Sequence, residues 1–189
     1  MTIKHFDNQA VTVYLDLDGV IADWQAGAEK IIGYKPADTS ERYPAEDWQK
    51  ILDHQRIYRD LPVIAGATGI INIGRQLRDE FGWNLAFLTA VPKDNDMPWA
   101  FMDKVMWTQR WGDIPVFFGP YSTDKAQHCQ AGDILVDDRP DNCSAWTAAG
   151  GRAVLVEPSG NVSGAQVALL EILDQEREAR AAERSNAQP

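Results

Sequence analysis

Two carboxylates, Asp16 and Asp18, stand one residue apart at the end of the apolar run Val13-Tyr14-Leu15. Like charges at that spacing repel, so they call for a cation, a hydrogen-bond network or a shared proton. A hard divalent cation such as Mg²⁺ beside a phosphate meets the need, because it takes carboxylate and carbonyl oxygens. Further along come Thr89 at the end of a second apolar run, Lys125, and Asp137-Asp138 closing the run Ile134-Leu135-Val136. Hydrolysis of a phosphomonoester asks for such a set. Cations must offset the charge that repels a nucleophile. A carboxylate can then attack phosphorus and split one hard step into two. A second acid must protonate the leaving oxygen and later deprotonate water. Asp16, facing the crevice at a strand end, suits the nucleophile. Asp18 points to the same side of an extended chain and suits the acid/base. Gly19 lets the chain turn sharply with no Cβ near the phosphate. Thr89 offers a hydroxyl, Lys125 a cation, and Asp137 with Asp138 the remainder of a metal site. Each piece is commonplace alone; the four in this order form a joint signal.

Positioning these groups takes strands that end side by side. Val11–Asp18 reads as a strand, and four further apolar runs read as its partners: Asn84–Ala90, Ile114–Phe118, Asp133–Asp138 and Arg152–Val156. Helical periods lie between them. One runs through Ile70, Ile71, Gly74, Leu77 and Phe81, and another through Trp99, Met102, Val105 and Met106, with Asp96 and Pro98 as helix-start residues. A third covers Pro140–Ala149 and stops at Gly150-Gly151. Alternating strands and helices predict an α/β fold, a Rossmann-like parallel sheet with helices on both faces. Such sheets carry their sites beyond the C-terminal strand ends.

Residues 24–60 break the rhythm with Trp24, Tyr34, Tyr43, Trp48 and Tyr58 and no clear strand. They read either as a surface excursion or as a small helical cap over the site. Near the C-terminus Val162, Ala165, Leu169, Ile172 and Leu173 form an apolar stripe. The charged residues 175–189 beyond it read as a solvated helix end that frays. The whole, residues 1–189, reads as a single domain.

The 189 residues suffice for one full-sized core, and a hydrophobic share of 44% with 24% charged is that of a soluble globular protein. No stretch approaches the ~18 apolar residues of a membrane span, so no membrane partner is expected. The N-terminal residues lack the apolar region of a secretory signal. Cys129 and Cys143 fit no metal or redox spacing, which leads us to expect a reducing, cytoplasmic setting. His128 reads as an ordinary loop or helix residue. A net charge of −10 argues against polymeric nucleic acid, which needs a basic face, but not against a small anionic substrate.

The segment Asp16-Leu17-Asp18-Gly19-Val20-Ile21-Ala22-Asp23, with Thr89, Lys125 and Asp137-Asp138, resembles the four ordered motifs of the haloacid dehalogenase (HAD) superfamily of phosphatases. Trp24 after Asp23, then Tyr58-Arg59-Asp60-Leu61-Pro62, then Asp137 to Asp141, resemble more closely the 5′(3′)-deoxyribonucleotidase family. The resemblance spans roughly residues 11–156. It implies a HAD-like core with a small helical cap after the first strand, Mg²⁺ dependence, and hydrolysis of nucleoside monophosphates. By position, Asp16 would be nucleophile and Asp18 acid/base, with Thr89 and Lys125 on the phosphate. Asp16, the carbonyl of Asp18 and Asp138 would hold magnesium, with Asp137 close by. Trp24 would stand at the base-binding pocket, or else be a core tryptophan, and Tyr58 is open in the same way. Two departures stand out. Ala90-Val91-Pro92 replaces the family's Ser-Pro after the threonine, leaving Lys93 as the nearby polar group, and Ser122-Thr123-Asp124 precedes Lys125 where the family carries an arginine. A phosphatase for a sugar phosphate or another small metabolite is the alternative, and a non-catalytic binding module is a third. Monomer and homodimer are both left open.

Overall fold

The computed structural model describes residues 6–36, 43–54, 56–92, 97–119, 121–157 and 160–186. Five strands, β1 (Thr12–Leu15), β2 (Asn84–Thr89), β3 (Val116–Phe118), β4 (Ile134–Asp137) and β5 (Arg152–Leu155), pair in parallel in the order β3-β2-β1-β4-β5. Seven α-helices are described: α1 (Trp24–Ile32), α2 (Ala45–Asp53), α3 (Ile57–Asp60), α4 (Ala67–Phe81), α5 (Ala100–Thr108), α6 (Pro140–Ala148) and α7 (Ser163–Asn186). A 3₁₀ segment, Ser122–His128, precedes β4. This is an α/β Rossmann-like sheet, and all five expected strands are present with slightly shorter bounds.

Burial on both faces explains the near-continuous apolar runs. Val13 and Leu15 of β1 join Leu85, Phe87, Ile134 and Val136 in the larger core. Tyr14 points the other way, with Ala86, Leu88 and Leu135, onto Trp146 of α6. The strand period of two therefore feeds two separate cores.

Register sets up the site. Leu15 pairs with Phe87 on one side and Val136 on the other. The chain therefore leaves β1, β2 and β4 along one edge, at Asp16, Thr89 and Asp137. The connections run outward in opposite directions from β1, toward β3 through β2 and toward β5 through β4, which makes this edge a topological switch point.

The charged segment, expected as a solvated helix end that frays at residues 185–189, is helical in α7 through Asn186. Arg177 forks onto the Glu80 carboxylate at 2.6 and 2.9 Å, and Arg180 donates to the carbonyls of Glu80 and Phe81, at the C-terminal end of α4. Cations suit that end of a helix, and the contacts hold the last turns of α7 against it. Only residues 187–189 of the expected tail lie outside the described residues.

In α5 the expected apolar stripe is not the buried one. Met102 and Phe101 are 55% and 51% exposed, while Asp103 and Lys104 on the opposite face are 0% and 2% exposed. The helix starts at Ala100, two residues after the expected start residue Pro98, and Asp96, the other expected start residue, lies outside the described residues. Polar residues go inward here because they have partners there. Arg56 pairs with Asp103 at 2.7 Å, and Lys104 reaches the strand ends.

Residues 24–60 contain α1, α2 and α3, between β1 and α4. Asp23 caps α1, accepting from the Ala26 N–H at 2.8 Å. The Asp23 N–H in turn donates to Pro62 at 2.8 Å, tying the start of the excursion to its end. No described helix is long and apolar enough to cross a membrane.

Candidate active site

After Leu15 the backbone turns tightly. The Leu17 carbonyl accepts from the N–H groups of Ile21 and Ala22, and the Gly19 N–H donates to the Ala22 carbonyl at 2.9 Å. Gly19 sits at φ +81°, where a side chain is strained, and a Cβ there would collide with the Asp138 carboxylate. The turn thus brings bare backbone against the acidic pair at the end of β4.

Asp16 is nearly buried. Its Oδ1 accepts from the Leu17 N–H at 2.8 Å and lies 2.8 Å from the Lys125 Nζ. Lys125, equally buried, also donates to Asp137 Oδ2 at 2.7 Å. Burial alone would pull the Lys125 pKa down, but the Asp16 and Asp137 carboxylates outweigh it and hold it above the ordinary value. It therefore remains an ammonium ion at neutral pH.

The two neighbouring aspartates differ in what already binds them. Asp137 is fully engaged: Lys125 fills one oxygen, while the Arg139 N–H and the Asn142 Nδ2 donate to the other at 2.9 Å each. Burial and then the Asp16 charge raise its pKa. Asp138 receives no hydrogen bond from any described residue. Burial first, then the charges of Asp16 and Asp137, push its pKa up to about 7.

Carboxylate oxygens of Asp16, Asp137 and Asp138 lie within 4.8 Å of one another. This all-oxygen set, with one carboxylate that no described residue donates to, fits a hard divalent cation such as Mg²⁺. The Asp18 carboxylate is not among the three. Its Oδ2 is ion-paired with Lys104, and its Oδ1 is buried with no partner among the described residues. A metal role for Asp18 would thus run through its backbone carbonyl, the atom the resemblance implies.

Lys104 is the residue that sequence reasoning missed. Its ammonium pairs with Asp18, donates to Thr89 Oγ1 at 3.0 Å and sits 4.5 Å above the Tyr58 ring. Thr89 is wholly buried. Ala100, Asp103, Lys104 and Trp107 follow a helical period, so a charged pair on an otherwise buried face was the available signal.

The structure thus brings Asp16, Lys125, Asp137 and Asp138 into one cluster, and Asp18, Thr89 and Lys104 into another beside it. Trp24 lines a cavity of about 260 Å³ that also touches Gly19 and Asp138. Tyr58 does not line it. Its ring is buried against Trp24, with centroids 5.0 Å apart and planes at 28°, and Lys104 lies over it. A 5.0 Å gap holds no third ring, so anything stacked on Trp24 takes its other face. Burial, then the Asp18 charge, raise the Tyr58 phenol well above its usual range. Lys93 lies outside the described residues.

No protein-family model and no curated protein sequence matches this chain. Among solved structures it is similar to a hydrolase from Streptococcus pneumoniae TIGR4, at 13% identity and a TM-score of 0.54 over 87% of this chain and 98% of that one. It is also similar to the magnesium-bound HAD-hydrolase YfnB from Bacillus subtilis, at 12% identity and a TM-score of 0.50 over 78% and 86% of the two chains. At such identities the likeness speaks for the fold alone: the chain is folded as these hydrolases are.

Proposed function

We propose that the protein is a Mg²⁺-dependent phosphomonoester hydrolase working through an aspartyl-phosphate, with a nucleoside monophosphate as substrate. The observation that carries the reading is the junction of the two clusters. A nucleophile-type carboxylate, Asp16, and an acid/base-type carboxylate, Asp18, leave the same strand, and each has its own buried lysine.

The chemistry then divides among the chain's own groups. Asp16 Oδ1 is held by the Leu17 N–H and Lys125, which leaves Oδ2 for phosphorus. As the bond from Asp16 to phosphorus forms, the bond from phosphorus to the leaving oxygen breaks. Asp18, in its acid form, gives that oxygen its proton and is left as the carboxylate paired with Lys104. It then takes a proton from the water that attacks phosphorus, the bond from Asp16 to phosphorus breaks, and phosphate leaves. Lys104 and Thr89 Oγ1 are placed to hold phosphoryl oxygens on the Asp18 side, and Lys125 on the Asp16 side. Asp16 and Asp138, with the Asp18 carbonyl, would hold Mg²⁺, and Asp137 would orient Lys125 behind them. When bound, the cation would supply charge neutralisation to the phosphate and to the three crowded carboxylates.

The nucleotide assignment is supported by Trp24, a half-buried indole on the wall of the cavity that reaches Asp138. An aromatic face suits a nucleobase and tolerates several of them. The test is a phosphate-release screen with Mg²⁺ across deoxy- and ribonucleoside 5′- and 3′-monophosphates and sugar phosphates. Higher kcat/KM for nucleotides is expected. A preference for sugar phosphates would move the substrate to that class and keep the phosphatase.

A further inference from the structure

The cavity that begins at Gly19 and Asp138 continues along α1, where Trp24, Gln25 and Glu29 line it, with Lys35 beyond the helix. Gln25 and Glu29 are one helical turn apart, and Gln25 Nε2 donates to Glu29 Oε1 at 2.9 Å. That bond fixes the amide's orientation, since only the nitrogen side can meet a carboxylate. The remaining oxygens, Gln25 Oε1 and Glu29 Oε2, are acceptors. Asp23, another acid on this wall, has its Oδ1 engaged as the cap of α1. An acceptor pair beyond the phosphate position wants a partner with N–H or O–H donors, and because Asp23, Glu29 and Asp138 outnumber Lys35 on the lining, a second anionic group is disfavoured there.

We propose that this cavity is the leaving-group subsite, and that the Gln25–Glu29 pair selects phosphomonoesters whose uncharged leaving group presents hydrogen-bond donors. The donors are either the edge of a nucleobase on Trp24 or the hydroxyls of a sugar; the chemistry at the pair is the same. The inference rests on the phosphatase reading of the Asp16 cluster and adds to it what chooses the substrate.

The test measures kcat/KM with Mg²⁺ for the wild type, Glu29→Ala, Glu29→Gln and Gln25→Ala. Its arms are thymidine monophosphate, the N3-methylated analogue, a hexose monophosphate, the matching hexose bisphosphate, and p-nitrophenyl phosphate, whose leaving group has no donor at this end. In Glu29→Ala the ratio of kcat/KM for a donor-bearing ester to that for p-nitrophenyl phosphate should fall about tenfold, the scale of one lost hydrogen bond to a charged group. Glu29→Gln should in addition raise the bisphosphate relative to its monophosphate. A fall confined to thymidine monophosphate over its methylated analogue assigns the donors to the base, and one confined to the hexose ester assigns them to sugar hydroxyls. Equal loss on every ester, or no change in any ratio, would overturn the subsite while leaving the phosphatase in place. No phosphate release from any ester by the wild type would overturn both.

Discussion

Lys104 donates from its ammonium to Thr89 Oγ1 at 3.0 Å, joining the middle of α5 to the end of β2. The same ammonium pairs with Asp18, so one buried cation serves both the group assigned to proton transfer and the hydroxyl assigned to phosphate. Desolvated in this way, its charge acts with little screening. Lys104→Met should therefore lower kcat about 100-fold, the scale of losing one preorganised donor. Steady-state phosphate release checks this, with the thermal transition followed alongside. A variant that keeps its fold and its kcat would remove Lys104 from the chemistry.

Gly19 supports the other cluster by what it lacks. Its φ of +81° costs an L-residue about 1 kcal/mol or more, and a Cβ would push directly on the Asp138 carboxylate. Gly19→Ala should lower the melting temperature and weaken Mg²⁺ binding about tenfold, in line with displacing a ligand's carboxylate. Titrating Mg²⁺ by calorimetry reads the second effect separately from the first. Unchanged affinity would mean that Asp138 does not hold the cation.

The strand-end half of the site was legible in the sequence, and the helix half was not. Asp16, Thr89 and Asp137 each close an apolar run, and parallel pairing with Leu15 between Phe87 and Val136 brings those closures together. Nothing long-range is needed to see it. Lys104 is hidden because the helical period through Trp99, Met102, Val105 and Met106 points to a different face of α5, and Met102 and Met106 face outward. The charges on its buried face are met by Arg56, Asp18 and Thr89, residues distant in sequence that no local period reports. Tyr58 was visible as an aromatic, but only packing shows its ring covered by Trp24 and Lys104. The continuation of α7 likewise depends on Glu80, a partner far away in the chain.

Asp138 makes stability depend on pH in a direction opposite to that of a salt-bridged acid. Its folded-state pKa of about 7 lies above the ordinary 3.8, because of burial and then the charges of Asp16 and Asp137. Its contribution is fully present below the unfolded value and is lost as pH rises through about 7. A bound cation replaces the missing proton. The increase in melting temperature on adding Mg²⁺ should thus be larger at pH 8 than at pH 5.5. Equal increases at both would show that this carboxylate and the cation do not share a site.

Asp16 is the group on which the proposed covalent step depends. Phosphate release by Asp16→Asn, with Mg²⁺ and the best ester of the screen, should fall by a factor on the order of 10⁴ or more, as loss of a nucleophile does. The thermal transition should stay largely in place, because the amide keeps the shape of the side chain. A folded Asp16→Asn protein with substantial turnover would contradict an aspartyl-phosphate at this position.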